Sequence, residues 1–550
     1  MPSTLPTLDL DPQAKLSDLI SDEDFKFRLA QVVASYLPDC RWFTSKGKII
    51  QGVVIEHAFG LTDQTALLIL GVSFSDGTKE MYQFPLAWNW EPEWLADLQD
   101  FNTHLALAQI GEPAEVILSD AINRASFRRA LFQVLAGDFS PDSTLISDRG
   151  TLLKDVDRDE ITSVVPAFDT SNTAIIYQDR LFFKLFRKLD VGLNPDLELV
   201  RFLSEQTTFE HSPAYAGSLS VRDSKSSESI NLGICIGKVE NQGDAWSLFQ
   251  NLTEGFYQRV LELKPASFLK IPVHNSFHQL DSSHQELIGR ETADRVTLLA
   301  RRTAEMHLAL ASATPDQPEL VMEPLTTEYT IEISRAASQL FDRQIRELRD
   351  RIGELKSEQR VMANKILKLE QEIRTRLTSL ENRSIDGQII RIHGDYHLGQ
   401  VLYDETDYCI IDFEGEPLLT IPQRRRKRPP YKDVAGMIRS LHYAVSGQLL
   451  LNIRYRPAPA GLASAGGEVQ KLKPWGNWWF SCLRSTFLEE YHRVLGPHQL
   501  LPNNGEDREI LLDLFVLEKA VYEVAYELNS RPDWLDIPLQ GLLFALEDGQ

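Results

Sequence analysis

The chain has 550 residues, 43% of them hydrophobic, and its 79 acidic and 57 basic side chains give a formal charge of −22. That length exceeds one core and predicts two or three domains. The acidic excess repels phosphate backbones and excludes nucleic acid as an expected partner. Cys40, Cys235, Cys409 and Cys482 are scattered without a CxxC pair, so neither a zinc site nor a disulfide framework is expected. With no basic-then-apolar leader and no apolar run near the ~18 residues of a bilayer span, the expectation is a cytoplasmic chain without membrane association.

Residues 1–20 are polar. The spacing predicts a helix over 23–37 that stops at Pro38, then strands over 51–56, 65–71 and 80–84, and helices near 93–106 and 120–136. Residues 1–110 therefore read as a small α+β cap. From about Asp159 the pattern is β-rich again. Strands at 173–177 and 180–186 flank the two-residue turn Gln178-Asp179 and predict a hairpin. A helix over 195–206 follows, with Asn194 as N-cap and Pro195 in its first turn. An apolar strand at 232–239 closes this β-rich segment, 111–242.

From 243 to 550 the pattern is mainly helical. Residues 330–382 form a long helical stretch in which Ile345, Leu348, Ile352 and Leu355 follow 3-4-3 spacing. The periodicity fits a coiled-coil dimer, but it falters at 356–360, where a hairpin would turn. A pair of antiparallel helices on their own lobe is the preferred reading. Residues 456–469 have the Ala/Gly/Pro/Ser composition of a surface loop.

The most informative segments lie within this helical half: Arg391-Ile-His-Gly-Asp-Tyr-His-Leu-Gly-Gln400, then Ile410-Ile-Asp-Phe-Glu-Gly-Glu-Pro417. Asp395 precedes the amide of Gln400 by five residues, and Asp412 ends an apolar strand twelve residues further on. This is kinase spacing: a base that takes the proton of an acceptor hydroxyl, then an amide and a carboxylate that hold Mg²⁺ against the triphosphate. Protein kinases carry Asn where this chain has Gln400, and Asp-Phe-Gly where it has Asp-Phe-Glu. Asp395 is thus the predicted base; Gln400, Asp412 and Glu414 are the predicted Mg²⁺ ligands. Lys184, a charge within an apolar strand, is the candidate for the nucleotide phosphates, with Glu198 on the next helix as its partner. The turn Ser171-Asn172-Thr173 would cover the phosphates, although it lacks glycine. Val239 and Glu240 occupy the connector position where backbone pairs with an adenine edge. The chain contains no GxxxxGK[ST], which excludes a Walker-type site. Arg187, Lys188 and the basic run 424–428 read as solvated, and Asp433 reads as a brace for the catalytic loop.

Several motifs together resemble the maltokinase family and the kinase-like segment fused to some trehalose synthases. They are Arg41-Trp-Phe-Thr-Ser-Lys-Gly47, Leu185-Phe-Arg-Lys-Leu-Asp-Val-Gly-Leu-Asn-Pro-Asp196, Gly243-Asp-Ala-Trp246, Arg301-Arg-Thr-Ala-Glu-Met-His-Leu-Ala-Leu310, the two catalytic segments, Asp433-Val-Ala-Gly-Met-Ile-Arg-Ser440, and 518–534. The resemblance implies an α+β, two-lobed, aminoglycoside-phosphotransferase-like fold with an N-terminal cap. It further implies ATP-dependent phosphorylation of maltose at its anomeric hydroxyl. On the 518–534 segment Lys519, Tyr522, Glu523 and Tyr526 share a helix face, and Arg531 and Trp534 follow it. The resemblance implies that they line the sugar pocket. His393 and His397 stand close enough to the base to touch substrate, and loop-bracing is the preferred role for each. Another acceptor such as glucosamine stays open, as does a non-catalytic role beside a trehalose synthase, though the latter sits badly with intact Lys184, Asp395, Gln400 and Asp412.

Overall fold

A computed structural model describes residues 5–547 apart from 90–105, 111–115, 138–143, 155, 157–160, 167–171, 223–227, 264–270, 273–275, 382 and 456–464. The chain divides into two compact units, Met1–Arg201 with Pro213–Lys238, and Phe202–Ser212 with Val239–Gln550. Among the described residues no helix is long and apolar enough to cross a membrane.

The first unit holds two sheets. The helix Glu23–Tyr36 packs its apolar face, with Phe25, Leu29 and Val33, on a sheet whose long antiparallel strands are Ile50–Thr62, Thr65–Phe74 and Lys79–Asn89. Asp22 caps that helix by accepting from the Phe25 N–H at 2.7 Å. Val116–Asp120 extends the sheet beyond Lys79–Asn89. The helix expected at 93–106 falls outside the described residues, except that Ala106 opens the strand Ala106–Ile110. The second sheet has six strands and includes the expected hairpin, Thr173–Tyr177 with Leu181–Leu185. Its turn residues Gln178 and Asp179 both take positive φ, 50° and 53°, as a twist-matched two-residue hairpin requires.

The chain passes from one sheet to the other within three residues. Leu185 ends a strand of the second sheet, and Lys188–Leu189 pairs with Tyr82 and Met81 of the first. Arg187, expected in solvent, lies at this crossing with 1% exposure. Its Nη2 donates to Asp120 Oδ2 at 2.9 Å and its Nε to Thr173 Oγ1 at 2.7 Å, while the guanidinium stacks 4.6 Å from the Trp42 ring centroid. Three residues distant in sequence supply its partners, which is why local composition did not reveal it. Lys188 is exposed as expected and pairs with Glu80.

The second unit is helical. Its long helices are Ala245–Glu262, Arg290–Leu310, Thr327–Asp350, Tyr431–Tyr455, Ala465–Leu495 and Gly505–Ser530. The 330–382 stretch breaks at 351–356 into Thr327–Asp350, Ser357–Lys368 and Glu370–Leu377. Phe341, Ile345, Leu348, Ile366 and Ile373 bury against Leu517, Val521, Val524 and Leu539 of the same unit. The apolar stripe is therefore spent inside the lobe on three helices rather than the expected pair, which leaves it unused for a coiled-coil dimer. Of the loop expected at 456–469, residues 456–464 lie outside the described ones, and 465–469 already belong to the helix Ala465–Leu495.

Candidate active site

In the second unit the catalytic loop hangs between the strands Gln388–Ile389 and Val401–Tyr403 and is fixed from beneath. Asp433, fully buried on the helix Tyr431–Tyr455, accepts from the backbone N–H groups of His393 (2.8 Å) and Gly394 (2.9 Å). His307 Nε2 meets the same carboxylate at 3.2 Å, and its Nδ1 meets Tyr491 Oη at 2.8 Å. Burial pushes the Asp433 carboxyl up, but the hydrogen bond and charge of His307 and the Gly394 N–H outweigh it and hold the group below its usual range. Ser440 Oγ accepts from the Leu398 N–H at 3.0 Å, and Thr303 Oγ1 lies 2.9 Å from Tyr396 Oη. Gly436 lets the helix approach: a Cβ there would stand 2.6 Å from the Tyr396 carbonyl oxygen. The brace expected of Asp433 is thus found, with His307, Tyr491 and Ser440 as members that spacing did not reveal.

His393, named as a substrate residue from the sequence, does not reach the cavity. It is buried, its Nε2 lies 2.9 Å from the Ile411 carbonyl oxygen, and its ring packs on Tyr396 and Phe413. It therefore ties the catalytic loop to the strand end that carries Asp412. Gln400 and Asp412 come together as expected: Gln400 Nε2 donates to Asp412 Oδ2 at 2.9 Å. Asp412 takes φ +69°, a strained value for a side chain with a Cβ. The Gln400 amide is oriented nitrogen-first toward Asp412, which leaves its carbonyl oxygen available to a hard cation.

A cavity of about 670 Å³ opens over Asp395. Asp395, His397 and Gly399 line one side; Lys519, Tyr522, Glu523, Tyr526, Arg531 and Trp534 line another. The six residues of the 518–534 segment expected to meet an acceptor are therefore gathered on one cavity with Asp395, the expected base. Lys519 Nζ lies 3.9 Å from Asp395 and 3.7 Å from Glu416. Burial pushes the Lys519 ammonium down, but Glu416, Asp395 and Glu523 together push it up, so it stays charged. The Tyr522 and Tyr526 rings stack at 6.4 Å and 20°, and the Arg531 guanidinium lies 5.3 Å from both the Tyr526 and Trp534 rings.

Two of the carboxylates lining this cavity are paired with arginines, while Asp395 and Glu416 share the one Lys519. Glu523 Oε2 accepts from Arg439 Nε and Nη2 at 2.9 and 2.7 Å. Glu527, 1% exposed, accepts from Arg531 at 3.0 and 2.6 Å and from Tyr443 Oη at 3.3 Å; burial raises its pKa. Lys432 pairs with Glu518 at 3.1 Å. Trp246, Glu416, Lys432, Tyr443, Phe515 and Glu527 also line the cavity. Of these, Trp246, Glu416 and Glu527 lie inside the quoted motifs; Glu527 was open between salt-bridging and ligand-binding in the sequence, and the others carry no site signal there.

In the first unit Lys184 Nζ meets Asp196 Oδ2 at 3.1 Å, with both side chains largely buried. Asp196 is a partner that the sequence reading had not assigned; Glu198 lies in the same first helical turn. Asn194 caps that turn, its Oδ1 accepting from the Asp196 N–H at 2.9 Å. Ser171 lies outside the described residues. Asn172 Oδ1 accepts from the Arg187 N–H at 3.4 Å and Thr173 Oγ1 from Arg187 Nε at 2.7 Å. In the second unit Val239 and Glu240 lie in irregular backbone, and the Val239 carbonyl accepts from Asn241 Nδ2.

Residues 36–122 match the Maltokinase N-terminal cap domain family, and residues 278–416 match the Phosphotransferase enzyme family. Among curated proteins it is similar to a glucosamine kinase of Streptacidiphilus jiangxiensis, 27% identical over 27% of this chain and 30% of that protein. It is also similar to one of Mycolicibacterium smegmatis, 30% identical over 28% of this chain and 34% of that protein. The chain thus matches about a third of the length of these relatives. Two solved structures share its fold. One, described as glucosamine kinase in complex with glucosamine, ADP and inorganic phosphate, has a TM-score of 0.58 at 16% identity and covers 94% of this chain and 98% of that one. A second glucosamine kinase crystal form reaches 0.62 at 16% identity, covering 94% and 99%. The expected kinase-like fold with an N-terminal cap is borne out.

Proposed function

We propose that this protein transfers the terminal phosphoryl group of ATP to a sugar hydroxyl, and that maltose, phosphorylated at its anomeric position, is the acceptor. The observation that carries this reading is the single cavity that brings Asp395 together with the polar and aromatic face of the helix Gly505–Ser530. Asp395 accepts the hydroxyl proton as the oxygen attacks phosphorus. Lys519 offsets the charge of Asp395 and Glu416 and hydrogen-bonds sugar hydroxyls. The stacked Tyr522 and Tyr526 rings supply apolar surface for a pyranose face. Gln400 and Asp412, with Glu414 beside them, would hold Mg²⁺, which when bound neutralises phosphate charge. Lys184 would contact the nucleotide phosphates, and Val239 and Glu240 the adenine edge.

One feature favours maltose: the cavity of about 670 Å³ exceeds the needs of one hexose. The glucosamine reading has its own support, since the curated relatives are named glucosamine kinases. A panel of sugars assayed for ADP release, with the product assigned by NMR, separates them. Maltose 1-phosphate is the expected product. Turnover confined to glucosamine overturns the maltose assignment, and no turnover with any sugar overturns the kinase reading. The association with a trehalose synthase that the resemblance implies is tested by co-purification with such an enzyme.

A further inference from the structure

His397 heads the short 3₁₀ turn Leu398–Gln400, which leads from the catalytic base to the predicted metal amide. Its ring Nδ1 accepts from the Gly399 N–H at 3.1 Å. A nitrogen that accepts carries no proton, so the neutral imidazole is fixed as the Nε2–H tautomer. That N–H faces Asp395, with Nε2 at 4.0 Å from Oδ2. The separation is too long for a direct hydrogen bond. It matches the span of one oxygen atom bonded to both groups at ordinary distances. Gly399 is what permits this pose: a Cβ there would stand 3.0 Å from His397 Cε1 and 3.1 Å from Nδ1. Both residues line the cavity.

We propose that His397 is a positioning residue of the transfer reaction, its Nε2–H donating to the oxygen of the acceptor hydroxyl while Asp395 accepts that hydroxyl's proton. This rests on the phosphotransfer reading above. The two contacts use the hydroxyl's proton and one of its lone pairs, so the other lone pair is aimed at phosphorus. As the new O–P bond forms and the bond to the departing ADP breaks, the hydroxyl proton passes to Asp395, and His397 keeps its own. The imidazole must therefore be neutral. The sequence shows a histidine two residues after the base; only the backbone contact fixes which nitrogen carries the proton.

The first test reads the tautomer and needs no turnover. In ¹⁵N-histidine-labelled full-length protein at pH 7.5, the His397 signal, assigned by its loss in His397→Gln, should show a bare Nδ1 and a protonated Nε2. A protonated Nδ1 or a doubly protonated ring overturns the proposal, whatever sugar the enzyme uses. The second test is kinetic, on the sugar that the wild type phosphorylates. His397→Phe should lower kcat by about tenfold to a hundredfold with the KM for ATP unchanged. His397→Gln, which returns a donor near the Nε2 position, should recover a large part of the loss. Gly399→Ala, which pushes the ring aside without altering it, should lower kcat in the same direction. Unchanged kcat in His397→Phe, or a loss that His397→Gln does not relieve, overturns the role. A wild type inactive on every sugar strikes at the phosphotransfer reading instead and leaves the tautomer result standing.

Discussion

The loop carrying Asp395 is held through its backbone by a buried carboxylate, whereas the helix face across the cavity is held through side-chain ion pairs. Under the loop, Asp433 satisfies two backbone N–H groups and meets His307. On the acceptor wall, Arg439–Glu523 and Arg531–Glu527 set the side chains that a ligand would meet. The brace needs permanence, and a buried carboxylate with three hydrogen-bond partners provides it at the cost of desolvation. The wall needs recognition, and paired charges keep fork-like donors and acceptors in place while neutralising one another. Damage to the brace should therefore appear in folding, and damage to the wall in acceptor use.

The largest expected effect separates the base from both. Asp395→Asn should lower kcat by roughly 10²–10⁴ and leave the melting temperature and nucleotide binding near wild type; turnover near normal would remove Asp395 from its role. Asp433→Ala strips two amides and a histidine of their buried partner, so about 3–5 kcal/mol of stability should go, read by urea unfolding. Asp433 also gives the contrast a pH signature. Its folded pKa is depressed, so its contribution is fully present above the ordinary value of 3.8 and is lost as pH falls through the folded value. The stability gap between wild type and Asp433→Asn should be flat above pH 4 and close below it. A gap that widens with acid would mean the carboxylate is not the charged brace described.

Arg531→Ala should act on the wall. It leaves Glu527 with Tyr443 as its remaining described partner, and the raised pKa of Glu527 lets it take up a proton rather than unfold the helix. Use of the acceptor sugar should weaken by roughly tenfold, in KM more than kcat, with the KM for ATP unchanged. Glu523→Ala is a less clean probe than the sequence suggested, because it strands Arg439, which is 2% exposed. A measured loss of stability there, absent in Arg531→Ala, would sharpen the distinction between holding and recognising. The smallest effect belongs to the basic run 424–428. Arg426 pairs with Glu332 at the surface and Lys427 with Glu323, so Arg426→Ala should change stability by less than about 1 kcal/mol and leave turnover unchanged.

Much of the site was legible because its chemistry is local. Asp395, Gln400 and Asp412 are spaced along one stretch of chain, and a loop of fixed length delivers them wherever it is anchored. Lys519, Tyr522, Glu523 and Tyr526 were legible for a similar reason, since a helix converts spacing into a shared face. His393 misled because its position beside the base is equally a position under it, and only the packing of Phe413 and Tyr396 shows which side its ring takes. Arg187 misled in the opposite direction: an arginine after an apolar strand reads as solvated until Asp120, 67 residues earlier, is brought beside it.

The sequence by itself determined the strands and helices whose periodicity is strong, the cap ahead of the β-rich and helical parts, and the spacing that places Asp395, Gln400 and Asp412 on one stretch of chain. These depend on short-range geometry, in which residue spacing and backbone period suffice. Tertiary structure decided what long-range contacts decide: the burial of Arg187, the inward fold of the 327–377 helices, the bracing chain Tyr491–His307–Asp433, and the pairing of the cavity's acids with cations. A charged side chain's environment is set by whichever partners the fold brings within a few ångströms, and those partners are hundreds of residues away as often as they are neighbours.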